Sequence, residues 1–126
     1  MNRLIKVQWT RPAKEKLAEL PPKIRRAILE KTAALANTDP TRAHKPLTGP
    51  LSGYYSIKVS RYRAVYTVLE EQLANGDVLV FVRVVVVAVG MRKDGDKRDV
   101  YRLAERLVRF ANRPIDTPER GDSATD

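Results

Sequence analysis

Val78-Leu79-Val80-Phe81-Val82-Arg83-Val84-Val85-Val86-Val87-Ala88-Val89 is the stretch that decides the fold. Its apolar residues run almost without a break instead of alternating, as a strand covered on both faces requires. Such a strand lies inside a sheet. Arg83 breaks the run well short of the roughly 20 apolar residues a membrane helix needs. Gly90 ends it, and Ala74-Asn75-Gly76-Asp77 before it reads as a reverse turn, since Asn-Gly tolerates positive φ. Upstream, Tyr62 to Leu69 is dense in Tyr, Val and Thr, residues that suit a pleated sheet. Tyr54 to Ser60 is a further strand, with Tyr55, Ile57 and Val59 on one face and Tyr54, Ser56 and Lys58 on the other.

The flanks supply helices. Ile5, Val7 and Trp9 alternate with Lys6 and Gln8, a half-buried strand. Thr10 is a helix cap, Pro12 suits a first turn, and Ala13, Leu17 and Leu20 follow at helical spacing. Pro21-Pro22 ends that helix and opens another, whose inner face reads Ile24, Ala27, Ile28, Lys31 and Leu35. Residues 41–53 carry turn signals at Pro46, Gly49, Pro50 and Gly53 and read as a loop, and Met91 to Arg98 reads as a polar, charged loop. From Asp99 a last helix runs with an apolar stripe of Val100, Leu103, Ala104, Leu107 and Val108. The order is β-α-α-β-β-β-α. It predicts an α+β fold, a small, mainly antiparallel four-stranded sheet with helices packed on one face.

Composition narrows the chemistry. The 126 residues carry 24 Lys and Arg against 15 Asp and Glu, a net charge of +9. Zero Cys excludes disulfides, thiolate metal sites and cysteine nucleophiles, and one His excludes a multi-histidine metal site. No apolar signal core follows Met1, so a cytoplasmic setting is expected, with no membrane segment. The charge is unevenly spread: residues 111–126 hold two Arg against four acids, which leaves +11 on residues 1–110. Residues 113–126 have few large apolar groups and are expected to form a disordered acidic tail beyond a single domain at 1–112. A basic body of this kind points to a polyanionic partner.

No phosphate-binding Gly-rich loop, nucleophile elbow or metal-spaced cluster occurs. His44 reads as an exposed loop histidine. Lys58 lies on the outward face of its strand, Arg63 near the start of the next, Arg92 just past the central strand and Tyr101 one turn into the last helix. Sequential strands usually pair, so these four are able to gather at one sheet end. Arginine holds phosphate through two parallel hydrogen bonds, and tyrosine stacks on a splayed base. On spacing alone they read as ordinary surface charges just as readily.

Lys45-Pro46-Leu47-Thr48-Gly49, Tyr54-Tyr55-Ser56-Ile57-Lys58-Val59, Tyr62-Arg63-Ala64-Val65-Tyr66 and Val87-Ala88-Val89-Gly90-Met91-Arg92, with Asp99-Val100-Tyr101 beyond, together resemble the RelE toxin family. The resemblance covers about residues 3–110 in element order. It implies the toxin half of a toxin–antitoxin pair: a ribosome-dependent endonuclease that cuts mRNA in the ribosomal A site by 2′-hydroxyl attack, without metal or other cofactor. On that resemblance Lys58, Arg63, Arg92 and Tyr101 match catalytic positions, and Ser56, Lys45, Arg61, Lys93, Lys97 and Arg98 are expected RNA contacts. The implied partners are a cognate antitoxin, the ribosome with its mRNA, and ribosomal RNA. Two departures stand out. Ser56 occupies a position where the family often has a second lysine, and the loop from Lys93 to Val100 is longer than usual. Related ParE-like toxins inhibit gyrase by protein contact without chemistry, and a RelE-fold protein that only binds antitoxin or RNA is a third reading.

Overall fold

The alternating Ile5, Val7 and Trp9 lie on strand β1, Asn2–Trp9, in the computed structural model, which describes residues 2–75 and 77–111, with side chains described for 4–71 and 81–109. Thr10 caps helix α1, Arg11–Glu19, its hydroxyl oxygen accepting the Ala13 N–H at 3.3 Å. Helix α2, Pro22–Ala34, starts at the second proline of the Pro21-Pro22 pair. A two-residue strand β2, Lys45–Pro46, follows, then β3, Tyr54–Val59, β4, Tyr62–Asn75, β5, Asp77–Met91, and helix α3, Val100–Ala111. The sheet order is β1-β5-β4-β3-β2, with β1 parallel to β5 and the other neighbours antiparallel. No helix among the described residues is long and apolar enough to cross a membrane.

The fold is the expected mainly antiparallel α+β arrangement, with four differences. A fifth strand exists, because Lys45 and Pro46 pair with Ser56 and Tyr55 inside the segment read as a loop. Proline is tolerated there since an edge strand need not donate from every residue. The β4–β5 ladder continues past Leu69 to Asn75 opposite Asp77. Its polar residues are supported across the strands by an Arg83–Glu71 ion pair at 3.4 Å. On α2, Thr32 is buried in place of Lys31, and its hydroxyl donates back to the Leu29 carbonyl at 3.0 Å. Gly76 of the expected turn and the expected acidic tail at 113–126 lie outside the described residues.

The helices occupy both faces of the sheet, where one face was expected. Ala13, Leu17, Leu20 and Ile28 of the first two helices pack on Ile57, Ala64, Tyr66, Val84, Val86 and Val89. Val100 and Ala104 of α3 pack on Val65 and Ala88. β4 and β5 carry apolar side chains on both faces, and a β-bulge sorts those of β5 between the two. Val65 pairs with Ala88 but Tyr66 pairs with Val86, leaving Val87 as an extra residue on β5. Both Val87 and Ala88 therefore join the α3 cluster, while Val86 and Val89 on either side face α1 and α2. At about 1.5–3 kcal/mol per fully buried aliphatic side chain, the larger α1/α2 cluster holds the domain together and α3 is the lighter layer.

Tyr66 ties an irregular segment to this core. Its fully buried ring stacks on Tyr55 with centroids 5.3 Å apart, and its hydroxyl donates to the Pro40 carbonyl at 2.7 Å. Burial first, then Tyr55 and Asp39, push the phenol well above its ordinary pKa, so it stays a donor. Tyr66→Phe strands that carbonyl and is expected to cost about 1–2 kcal/mol in denaturant unfolding. The same variant should lower hydrogen-exchange protection of the Arg42 and Ala43 amides, which bond to Asp39. Unchanged stability and protection would show that the hydrogen bond does not anchor the loop.

Candidate nucleic-acid interface

Direct cross-strand partners share a face of a sheet. Lys58 stands opposite Arg63, and Arg63 opposite Gly90. Two residues further along, Ser56, Val65 and Ala88 form the next row, and that row lies against α3. Lys58 and Arg63 thus share the face that carries α3. The turn joining their strands is tight: Ser60 adopts a left-handed φ of 53°. The Arg61 carbonyl of this turn accepts the Arg92 N–H at 2.7 Å, fixing the end of β5 beside it.

Lys58, Arg63, Arg92, Tyr101, Ser56 and Lys45 all line one open cleft of about 540 Å³. Lys31 of α2, Ala43 and His44 complete its walls. Among the described residues, five of those lining it are cationic and none is acidic. Arg61 and Lys97 line neither this cleft nor its neighbour. Lys93 and Arg98 instead border a separate groove of about 550 Å³ with Lys16, Leu20, Leu103 and Arg106. Arg98 is also engaged locally, its backbone N–H donating to Asp96 at 2.7 Å and its guanidinium lying 3.3 Å from the same carboxylate. The expected RNA contacts therefore divide, with Ser56 and Lys45 in the cleft and the other four outside it.

The cleft's side chains are held by a connected network. Arg92 donates through Nη1 to Asp99 and through Nη2 to Asp94 at 3.3 Å. Its guanidinium carbon lies 4.4 Å from the centroid of the Tyr101 ring, a cation–π contact. The Tyr101 and Ser56 hydroxyls bond to each other at 2.8 Å. Asp99 is 2 % exposed and also accepts from the backbone N–H groups of Lys93 and Tyr101. Burial raises its pKa, but the Arg92 hydrogen bond, the backbone donors and the Arg92 charge outweigh that and hold it below the ordinary carboxylate value. Reciprocally, the Asp99 hydrogen bond keeps Arg92 above its usual value. Arg63 is restrained differently: Nη1 donates to the Ser60 and Tyr62 carbonyls at 3.1 and 2.9 Å. Both of its bonds use Nη1, which leaves the Nε–Nη2 edge for a ligand.

Three residues of this region were not among the sequence candidates. Asp99 precedes the apolar stripe of α3 as its cap, a signal that was readable, but its contact with Arg92 was not. Lys31 reaches the cleft from a helix that the sequence separates from it by a long loop. His44, expected to be simply exposed, is half-buried, with its ring edge-on to Tyr66 at 6.1 Å. Burial first and the Lys31 charge second lower its pKa below 6.5. Among the described residues no group of His, Asp and Glu is placed to hold a metal ion.

Comparisons with known proteins agree with this architecture. The family profile described as ParE toxin of type II toxin–antitoxin system, parDE, matches residues 7–94. Over 65 residues the chain is 34% identical to Toxin RelG of Mycobacterium tuberculosis, a match covering 52% of this chain and 75% of that toxin. A chain of the RelBE2 toxin–antitoxin complex of the same organism superposes with a TM-score of 0.50 at 29% identity, over 72% of this chain and 94% of the other. The free E. coli toxin RelE, in a mutant with two arginines replaced by alanine, gives a TM-score of 0.54 at 20% identity. That likeness covers 85% of this chain and 97% of the other.

Asp99→Ala removes both the α3 cap and the partner of Arg92, and is expected to cost roughly 3 kcal/mol in chemical denaturation. The pH dependence has a definite sign. Because the folded pKa of Asp99 lies below its unfolded value of about 3.9, its stabilisation is present above that value and is lost as pH falls through the folded pKa. Asp99→Asn should therefore flatten the acid limb of a stability profile below about pH 4. An acid limb identical to wild type would show that the pair does not couple to folding.

Proposed function

This chain belongs to the ParE toxin family of type II toxin–antitoxin systems, within the RelE/ParE superfamily, and from that premise we propose that it is a ribosome-dependent mRNA endonuclease. The observation that carries this reading is the cleft itself: Lys58, Arg63 and Arg92 beside Tyr101, with five cations and no carboxylate among the described residues of its lining. A site of that charge attracts an RNA backbone and is poorly matched to a basic or apolar substrate.

In the proposed reaction the 2′-hydroxyl of one nucleotide attacks the adjacent phosphate, leaving a 2′,3′-cyclic phosphate and a free 5′-hydroxyl. Arg63, pinned through Nη1, presents its Nε–Nη2 edge to two non-bridging oxygens and stabilises the extra charge of the pentacoordinate state. Lys58, exposed on the rim opposite it, adds a second positive charge at the phosphate. Arg92 is held in place by Asp99 and Tyr101, so it meets the charge developing on the departing 5′-oxygen without reorganising. Tyr101 has one ring face under the Arg92 guanidinium and its hydroxyl on Ser56. It therefore acts on the base through its remaining face or edge, and it supports Arg92 as well. The partners on this reading are the ribosome with its mRNA, ribosomal RNA, and a cognate antitoxin whose acidic groups complement the basic body.

A second reading has its own support, since the matched profile is that of ParE toxins. On it the protein blocks gyrase by contact and the basic cleft is incidental. Mapping mRNA 5′ ends on ribosomes after brief induction separates the two. The endonuclease reading expects new ends within codons for wild type, and a loss of about 10²–10³ in cleavage rate for Arg63→Ala and for Arg92→Ala. Intact mRNA together with inhibited supercoiling by purified gyrase would establish the second reading instead.

A further inference from the structure

We propose that His44 is the proton acceptor of this cleft, its imidazole taking the proton of the 2′-hydroxyl as that oxygen attacks phosphorus. The inference rests on the endonuclease reading above and supplies what that reading lacks, a base. Among the residues lining the cleft, lysine and arginine side chains have donors and no acceptor. The two hydroxyls present, on Ser56 and Tyr101, are bonded to each other. No described lining residue is a carboxylate. Hydroxyl oxygens keep lone pairs but are very weak bases, so the His44 imidazole is the group among these described lining residues able to take up a proton near neutral pH.

Its position suits the task. His44 precedes β2 and lines the same cleft as Lys58, Arg63 and Arg92. Its ring rests edge-on against Tyr66, which is itself fixed to the Pro40 carbonyl at 2.7 Å, so the imidazole sits on a rigid support. The charges around it favour the neutral form. Lys31 approaches from α2 and Lys45 from β2, and Lys58, Arg63 and Arg92 stand across the cleft on β3, on β4 and just past β5. The phenols of Tyr66 and Tyr101 are the other titratable groups facing this space, and Asp39 acts on the Tyr66 side of the loop. Burial and then Lys31 lower the pKa of the imidazole below 6.5, so at neutral pH it accepts a proton.

The step balances as follows. The O2′–H bond breaks and its proton moves to the His44 imidazole. The O2′–P bond forms, the P–O5′ bond breaks, and the 5′-oxygen takes a proton from the Lys58 ammonium. The products are a 2′,3′-cyclic phosphate and a 5′-hydroxyl, and solvent water returns the imidazolium and the Lys58 amine to their starting forms.

The test is single-turnover cleavage of mRNA on purified translating ribosomes between about pH 5.5 and 8.5, with wild type, His44→Gln and Lys31→Gln. Wild type should show a rate that rises with pH through one ionisation below 6.5 and then levels. His44→Gln should lower the plateau by about 10²–10⁴-fold and abolish that limb, with melting temperature and ribosome affinity retained. Lys31→Gln removes a repelling charge and should move the limb to higher pH, an effect that a merely structural histidine would not produce. A His44→Gln enzyme within about threefold of wild type, or one that keeps the same limb, overturns the assignment of His44 and leaves the endonuclease reading standing. Wild type that leaves mRNA uncut overturns both.

Discussion

A strand that must be covered on both faces governs this molecule. β5 pairs with β1 along one edge and β4 along the other, while α1 and α2 pack on one of its faces and α3 on the other, so its side chains meet protein in both directions and are mostly apolar. An unbroken β5 would carry the row of Val84 and Val86 through Ala88 to Gly90, under α1 and α2. The extra residue at Val87 shifts that phase by one. Ala88 then packs under α3, Gly90 lies 3.5 Å from Val100 at the position of an added Cβ, and Arg92 emerges against Tyr101. One unpaired residue thereby decides which residues of β5 share the face on which Lys58 and Arg63 stand.

That cleft is electrostatically costly before any ligand arrives. Lys58 and Arg63 are direct cross-strand partners, an arrangement of like charges that weakens a sheet. Both are partly in water, and at physiological ionic strength the repulsion fades over about 8 Å. Asp99 offsets the remainder at one point only. Exposed pairs such as Arg11–Glu15, with side chains 89% and 65% exposed, contribute at most about 1 kcal/mol each. Asp99 differs because it is buried, caps α3 and holds Arg92, so helix placement and cation placement are one interaction. The uncompensated charge that remains favours a polyanion, whose condensed counterions are released on contact.

Much of the fold was legible because periodicity reports burial directly. Ile57 against Lys58, the Thr10 cap and the α3 stripe all stand where the pattern placed them. What stayed hidden had weak local signals. β2 is two residues of turn-like composition and exists only because β3 offers it an edge. Thr32 and Lys31 differ by one helical step, and crossing geometry rather than hydropathy decided which one is buried. In the site, Arg63 and Arg92 were legible as candidates that gather at one sheet end, but nothing in their spacing revealed that Asp99 and Asp94 hold one while backbone carbonyls hold the other.

By itself the sequence determined the element order, the interior position of the Val-rich strand and the basic surplus, since each of these depends on local composition and period. Tertiary structure alone decided that α3 covers the opposite face from α1 and α2, that Lys93 and Arg98 border a different groove, and that His44 stands in the cleft. The physical reason is common to all three: each depends on which distant segments meet across the fold, through strand register and helix packing, and local composition and period carry no record of that.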